Sequence, residues 1–198
     1  MGGALMLILA STSRTRQDML RAAGLSFTAL PSCVDEAALK AGFSGPPAQL
    51  AQALARAKAL AVAGAHPGAL TLGADQLLVQ DGRVFDKPTS LDEAARHLRV
   101  FSGCSHQLVT AACLYRGDEL VWSGTEVATL HVRPLSESFI ARYLAAEGEA
   151  VLASVGAYRL EGLGAQLFSR LEGDHFTILG LPLLPVLAAL RAAGALAA

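Results

Sequence analysis

The stretch LMLILASTSRTRQDMLRAAG, Leu5–Gly24, decides the expectation for the fold. Its apolar run Leu5–Ala10 predicts a buried strand, and the basic segment after it predicts a helix. A strand that turns into a helix N-terminus points unpaired backbone N–H groups at one place, which favours an anion. Arg14 and Arg16 add positive charge in the first helical turn. The stretch therefore predicts a phosphate-binding site, with a basic helix start on a solvated face as the alternative.

Composition describes a globular chain with no general affinity for polyanions. Its 198 residues are enough for one domain or two closely joined lobes, and 53% of them are hydrophobic. The formal net charge of −1 argues against binding DNA or RNA across the surface, so any anion site must be local. The longest apolar stretch, Phe176–Leu190, contains two prolines and is too short to cross a bilayer, so no membrane contact is expected.

Cysteine usage favours a reducing compartment. The chain has three cysteines and no C-x-x-C spacing, which indicates neither a disulfide framework nor a zinc site. Small buried thiols in the cytoplasm are the expectation for Cys33, Cys104 and Cys113.

Strand and helix patterns alternate along the chain. Predicted strands are Leu5–Ala10, Ser26–Leu30, Ala69–Ala74, Leu77–Gln80, Arg83–Phe85, His106–Tyr115, Val121–Arg133 and Gln166–Glu172. Predicted helices follow Ser13, run from Pro47 to Gly64, follow the capping box at Ser90, run from Ser136 to Ala146, and run from Leu181 to Ala193. This interspersed order predicts an α/β fold with a twisted mixed sheet flanked by helices.

Two groups of acids are candidates for chemistry. The strand Ala69–Ala74 delivers Asp75 at its end, and the small Gly73 would let a ligand approach closely. Partial burial of this carboxylate would favour a general base, whereas a turn-capping aspartate is the alternative. Asp35 and Glu36 are either solvated loop acids or ligands of a hard cation.

Two further positions have a structural interpretation beside a functional one. Lys58 is the single lysine of the long helix and would, taken alone, be a surface residue. His106, at the start of a strand, is expected to be a hydrogen-bonded structural histidine.

Separated motifs together resemble one family, the Maf proteins. The motifs, in the order found in that family, are Leu9-Ala10-Ser11-Thr12-Ser13 with Arg16, Val34-Asp35-Glu36, Lys58, Gly73-Ala74-Asp75-Gln76, Asp86-Lys87-Pro88, Ser102-Gly103 with His106 and Thr110-Ala111, Gly156 with Tyr158 and Glu161-Gly162, and Gly180-Leu181-Pro182-Leu183. The resemblance spans nearly the whole chain and implies a single Maf-like domain over residues 1–198. It also implies a Maf/ITPase-like fold of two lobes with a central cleft, and a homodimer.

The resemblance also implies a reaction and the residues that perform it. Maf proteins are similar to nucleoside triphosphate pyrophosphatases, which release a monophosphate and pyrophosphate with a divalent cation, Mg or Mn. By that resemblance the substrate-binding residues are Ser11, Ser13, Arg16, Lys58 and Lys87. Glu36 and Asp75 would bind the metal, and Asp75 would accept the proton, although sequence does not separate its two roles.

Specificity is implied by three positions. Thr15 replaces an arginine that most family members carry, while Gln76 and Glu161 are similar to the branch acting on 7-methyl-GTP. A carboxylate accepts two hydrogen bonds, so Glu161 would pair with the donor edge of guanine and repel the imide edge of a pyrimidine. Glu161 could instead be a solvated loop acid or pair with Arg159.

Two other functions stay open at this point. One is the activity on dTTP and UTP of a sister branch, or a broad specificity. The other is a non-catalytic nucleotide-binding regulator of cell division.

Overall fold

The computed structural model describes residues 5–197. The strands are Leu7–Leu9 (β1), Thr28–Ala29 (β2), Leu70–Gln80 (β3), Arg83–Phe85 (β4), Ser105–Arg116 (β5), Glu119–Val132 (β6) and Phe168–Glu172 (β7). The helices are Arg14–Ala22 (α1), Glu36–Ala41 (α2), Pro47–Ala63 (α3), Leu91–Phe101 (α4), Glu137–Glu147 (α5), His175–Ile178 (α6) and Leu183–Ala192 (α7). Gly148–Ala153 and Leu163–Leu167 form 3₁₀ helices.

The strands form a seven-stranded sheet of order β2-β1-β3-β5-β6-β7, with β4 paired to β3. β1 pairs in parallel with β2 and β3, whereas β4 and β7 pair antiparallel with β3 and β6. The predicted α/β fold with a mixed sheet is confirmed. The chain divides into two compact units, the first with residues up to Gln76, Val109–Glu126 and residues from Asp174 on, the second with Leu77–Leu108 and Val127–Gly173.

In the first unit, the sheet is covered on both faces. Successive strand residues point to opposite faces, so alternate residues of the short apolar run of β1 pack into two different hydrophobic clusters. Leu7 and Leu9 pack with residues of α1 and α7, while Ile8 and Ala10 pack with Val62 of α3. The predicted buried strand leading into a helix is therefore confirmed.

The second unit has an aromatic core around His106. The ring of His106 lies 5.0 Å from that of Phe101, 5.6 Å from Tyr158 and 6.2 Å from Phe168, measured between centroids. The β3–β4 hairpin also belongs to this unit, and Asp81 and Gly82 have the positive φ angles (50° and 77°) expected of its Asp-Gly turn.

Three sequence predictions need correction. Asp75 does not end a strand, because the predicted strands Ala69–Ala74 and Leu77–Gln80 are one continuous strand, β3. The short helices α2 and α6 were not predicted, since six and four residues are too few to show a helical period. All three cysteines are free, as expected, but only Cys113 is buried.

No helix within residues 5–197 is long and apolar enough to cross a membrane.

Candidate active site

The turn from β1 into α1 is organised by two hydroxyl groups. Ser13 is the N-cap of α1, and its Oγ accepts a hydrogen bond from the backbone N–H of Arg16 (3.4 Å). The Oγ of Ser11 accepts from the backbone N–H of Ser13 (3.2 Å) and from the Arg16 guanidinium (3.4 Å). Both oxygens act as acceptors inside the protein, so each hydroxyl proton remains able to donate to an anion.

Arg16 is a buried cation at this turn. It is 9% exposed, and its Nε donates to the carbonyl oxygen of Gly180 at 2.7 Å. Burial lowers the pKa of Arg16, and the negative charges of Asp75 and Glu36 oppose that shift. An arginine stays protonated under these conditions, so the fold maintains a desolvated positive charge here.

Gly73 brings helix α3 against strand β3. A Cβ atom at Gly73 would lie 2.2 Å from the carbonyl oxygen of Ala55 and 2.8 Å from the Cβ of Ala59, so only glycine fits. The sequence predicted that this space would admit a ligand, which is wrong because α3 occupies it. Asp75 lies two residues along the same face of β3, and the close packing lets Lys58 of α3 reach it.

Lys58 joins two carboxylates. Its Nζ lies 2.6 Å from Oδ1 of Asp75 and 2.8 Å from Oε1 of Glu36. Lys58 and Asp75 are 8% and 5% exposed, so this is a buried ion pair and not the surface lysine that its position in the helix allowed. We refer to Ser11, Ser13, Arg16, Glu36, Lys58 and Asp75 as the Arg16–Lys58 cluster.

The two adjacent acids of the sequence have different positions. Asp35 is the N-cap of α2, where its side chain accepts from the backbone N–H of Ala38 at 2.9 Å. Glu36 is the first residue of that helix and contacts Lys58. Capping therefore uses Asp35, and Glu36 is the acid that joins the cluster.

Gln76 follows Asp75 but points to the opposite face of β3. Its Nε2 lies 2.9 Å from the carbonyl oxygen of Thr177, 3.1 Å from that of Ile178 and 2.9 Å from Oγ1 of Thr110. The hydroxyl of Thr110 in turn donates to the Thr177 carbonyl at 3.0 Å.

A family comparison identifies the chain. A model of the family described as Maf-like protein matches residues 6–193. The chain belongs to the Maf-like protein family. A relative from Rhizobium meliloti (strain 1021), named 7-methyl-GTP pyrophosphatase, is 50% identical over 194 residues, 96% of this chain and 98% of the relative.

Other relatives carry the same or a broader name. A 7-methyl-GTP pyrophosphatase of Mesorhizobium japonicum (strain LMG 29417 / CECT 9101 / MAFF 303099) is 49% identical over 96% of this chain and 97% of the relative. A nucleoside triphosphate pyrophosphatase of Nitrobacter hamburgensis (strain DSM 10229 / NCIMB 13809 / X14) is 50% identical over 96% of this chain and 95% of the relative. Among solved structures, one of a HAM1 protein from Coxiella burnetii aligns with TM-score 0.39 and 14% identity, over 65% of this chain and 73% of that one.

The remaining residues that the Maf resemblance implied are Thr15, Lys87 and Glu161. Thr15 is a half-buried residue in the first turn of α1, and the neighbouring Arg14 is exposed. Lys87 lies in the loop after β4 and Glu161 in a turn before the second 3₁₀ helix, both in the second unit and both exposed.

The turn that carries Glu161 has a buried support that the sequence did not reveal. Glu147, at the end of α5, has a side chain only 3% exposed, and its Oε2 accepts from Nε and NH2 of Arg159 at 3.0 and 2.9 Å. Its Oε1 accepts from the backbone N–H of Leu163 at 3.2 Å. We refer to Arg159–Gly164 as the Glu161 turn. Arg159 therefore pairs with Glu147, and the predicted alternative of an Arg159–Glu161 pair is wrong.

His106 is structural, as predicted. It is 2% exposed, and its Nε2 lies 2.6 Å from the hydroxyl of Tyr158. Burial lowers the pKa of His106 to about 4, so the imidazole is neutral at pH 7.

Proposed function

We propose that this Maf-like protein is a nucleoside triphosphate pyrophosphatase whose substrate is 7-methyl-GTP. The observation that carries the reaction is the Arg16–Lys58 cluster, which places two buried cations and two carboxylates beside the N-terminus of α1. The base preference is supported by the names of several relatives about half identical to this chain.

Binding of the phosphates is the part for which the cluster is best suited. The N-terminus of α1 favours an anion, and the buried Arg16 adds a full charge in a poorly solvated place. The hydroxyl protons of Ser11 and Ser13 are available to phosphate oxygens, since both oxygens already accept hydrogen bonds from the protein. On the basis of the Maf resemblance, Lys87 stays a predicted further phosphate ligand.

The donor atoms of the cluster fit a divalent cation such as Mg or Mn. Within residues 5–197 there is no group of three or more His, Cys, Asp or Glu side chains that could hold a metal alone. A magnesium ion needs no such group, because it is bound through one or two carboxylates together with substrate phosphates. Glu36 and Asp75 would supply those carboxylates, and the bound cation would neutralise phosphate charge.

The reaction is a hydrolysis at the α-phosphorus. The water oxygen forms a bond to that phosphorus, the bond from the phosphorus to the bridging oxygen breaks, and pyrophosphate leaves with the bonding electrons. Asp75 accepts the proton of the water, and Lys58 holds the carboxylate in place through the 2.6 Å contact. Arg16 stabilises charge that develops on the phosphate oxygens.

Glu161 is proposed to read the base. Its side chain is exposed, and no described residue forms a hydrogen bond or ion pair with it, so its two acceptor oxygens are available. Guanine presents two adjacent donors on its pairing edge, and methylation at N7 makes the base cationic, which a carboxylate favours. A pyrimidine imide presents two acceptors, which a carboxylate repels.

Pyrophosphate release from a panel of 7-methyl-GTP, GTP, dTTP, UTP and CTP tests the proposal. With Mg²⁺ or Mn²⁺ we expect turnover that is fastest for 7-methyl-GTP. Absence of turnover for every triphosphate would contradict the enzymatic function, whereas a preference for dTTP or UTP would contradict only the substrate. Asp75→Asn should reduce turnover on the order of 100-fold or more while triphosphate still binds.

The role of Glu161 has its own test. Glu161→Gln should reduce the preference for 7-methyl-GTP over dTTP about tenfold with little effect on stability. Glu149→Gln is the matched control, since Glu149 is also exposed and lies in the same unit. If both variants keep the wild-type preference, Glu161 is a solvated loop acid.

The homodimer and the cytoplasmic location are also kept as proposals, on the basis of the family resemblance. Light scattering coupled to size exclusion tests the first, and fractionation of cells tests the second. A monomer at micromolar concentration, or recovery outside the cytoplasmic fraction, would contradict them.

A further inference from the structure

The segment from Thr177 to Gly180, which comprises the last two residues of α6 and the two residues that follow, is held by side chains from three other elements. Gln76 of β3 and Thr110 of β5 bind the carbonyl oxygens at its start, and Arg16 of α1 binds the carbonyl oxygen at its end. All of these residues belong to the first unit. The segment therefore connects the central strands to the buried cation of the Arg16–Lys58 cluster.

The amide of Gln76 acts in this segment as a donor. Three acceptors lie within 3.1 Å of Nε2, and two of them are the consecutive carbonyl oxygens of Thr177 and Ile178. The third is the hydroxyl oxygen of Thr110, whose own O–H donates a hydrogen bond to the Thr177 carbonyl. Because backbone carbonyls cannot donate, only a group with N–H or O–H atoms satisfies this arrangement.

Gly180 connects the segment to Arg16 through its carbonyl oxygen. Its φ of +99° is a conformation that other residues rarely adopt, and it directs the carbonyl at Nε of Arg16. A Cβ atom at Gly180 would lie 3.6 Å from Oε1 of Gln76 and 3.7 Å from Nε of Arg16, so the glycine stands between the two side chains.

The 2.7 Å bond from Nε to Gly180 fixes the plane of the guanidinium. A guanidinium is planar, so one bound nitrogen determines where the remaining N–H groups point. In Arg16 those groups include NH1, which reaches Ser11. A shift of the Gly180 carbonyl would rotate the guanidinium away from this hydroxyl.

We propose that Gln76 is a positioning residue for Arg16: through the segment Thr177–Gly180 it holds the guanidinium toward the phosphates. The specificity role that the Maf resemblance implied for Gln76 stays a prediction beside it. The positioning role rests on the proposed binding of a triphosphate by Arg16. It also explains why a polar amide lies in the row of β3 that otherwise presents the core residues Leu70, Leu72 and Ala74.

Inorganic tripolyphosphate is the probe that separates the two roles, because it has no base. Gln76→Glu replaces the donor amide by a carboxylate that faces three acceptor oxygens. We expect the Kd of tripolyphosphate, measured by calorimetry, to rise on the order of tenfold. The KM for every nucleoside triphosphate should rise by a similar factor, with the order of base preference unchanged.

Two further variants complete the test. Gln52→Glu makes the same substitution at an exposed position of α3 and should leave tripolyphosphate binding unchanged. Thr110→Val removes the donor to the Thr177 carbonyl at a second site, and Thr110→Ser, which keeps the hydroxyl, should restore the affinity lost by Thr110→Val. If circular dichroism shows that Gln76→Glu does not fold, the comparison of tripolyphosphate binding between Thr110→Val and Thr110→Ser tests the proposal.

The outcomes are distinct. An altered base preference with unchanged tripolyphosphate binding would overturn the proposal, and so would unchanged binding in both Gln76→Glu and Thr110→Val. A wild-type protein that binds tripolyphosphate but hydrolyses no triphosphate would contradict the proposed enzymatic function alone. A wild-type protein that does not bind tripolyphosphate would overturn both.

Discussion

In the Arg16–Lys58 cluster three of the four charged side chains, Arg16, Lys58 and Asp75, are themselves buried, whereas in the Glu161 turn the candidate side chain is exposed and only its support is buried. Arg16 and Asp75 are 9% and 5% exposed and are fixed by contacts with other elements. The side chain of Glu161 forms no hydrogen bond or ion pair with the described residues, while the carboxylate of Glu147 in the same unit accepts three hydrogen bonds from the turn.

This difference separates two tasks that a nucleotide enzyme must perform. Every triphosphate has the same phosphates, so the residues that bind them can be rigid parts of the core. Bases differ, and an exposed side chain on a supported turn can be exchanged without changing the packing. Substitutions in the cluster should therefore affect stability and all substrates together, and substitutions in the turn should affect the choice of substrate.

The largest effect is expected for Lys58→Met. It leaves the buried carboxylate of Asp75 without its cation, beside the second acid Glu36, which should cost about 3–5 kcal/mol of unfolding free energy. Turnover should fall for all triphosphates alike. Urea unfolding and pyrophosphate release measure the two effects.

The added substitution Asp75→Asn provides the internal control for that variant. It removes the uncompensated buried charge, so the double variant should regain stability but not activity. Lys40→Met, a half-buried lysine of α2, controls for loss of a lysine in general. A Lys58→Met protein as stable as the wild type would show that the ion pair does not hold the cluster together.

Gly73→Ala should have the next largest effect. Its Cβ would meet the Ala55 carbonyl at 2.2 Å, so helix α3 must move, at a cost of about 3 kcal/mol. Since α3 carries Lys58, turnover should fall as well, although no charged group has changed. Gly68→Ala is the control, because a Cβ there meets no atom within 4 Å. Full activity in Gly73→Ala would mean that Lys58 tolerates movement of its helix.

Part of the cluster was accessible to sequence reasoning because the strand that leads into α1 is a local pattern. The strand and the helix within Leu5–Gly24 were predicted, and Lys58 was expected on the long helix. The family resemblance then supplied a role for each charged residue. What the sequence could not show is that α3 fills the space at Gly73, since a small residue fits equally a ligand or a neighbouring helix.

The supports of both regions were missed for a common physical reason. The Gly180 carbonyl is a backbone atom, and backbone atoms leave no residue-type signal in a sequence. Glu147 reads as an exposed acid at a helix end, yet its side chain is buried by a turn that begins twelve residues later. The boundary of β3 was placed wrongly because Asp75 interrupts an apolar pattern that the strand itself continues through.

A pH dependence should arise in the second unit. Burial lowers the pKa of His106 to about 4 from 6.5, so between these values the unfolded chain binds a proton that the folded chain does not. The contribution of His106 to the free energy of unfolding is therefore fully present above pH 6.5 and is lost as the pH falls toward 4. At pH 5 the loss is about 2 kcal/mol. Unfolding of the wild type and of His106→Gln at pH 7 and pH 5 measures it. The same pH dependence in both proteins would assign the effect to other groups.

Among the substitutions of buried residues, the smallest effect on stability is expected for Glu147→Gln. The amide keeps the size of the side chain but replaces one of two acceptor oxygens by a donor, which faces either Arg159 or the N–H of Leu163. We expect a loss of about 1 kcal/mol in stability and a reduced preference for 7-methyl-GTP, because Glu161 is held less firmly. Tripolyphosphate should bind as in the wild type, and Glu149→Gln should change neither property. A parallel loss of tripolyphosphate binding would show that the turn and the phosphate residues do not act separately, and the contrast between them would fail.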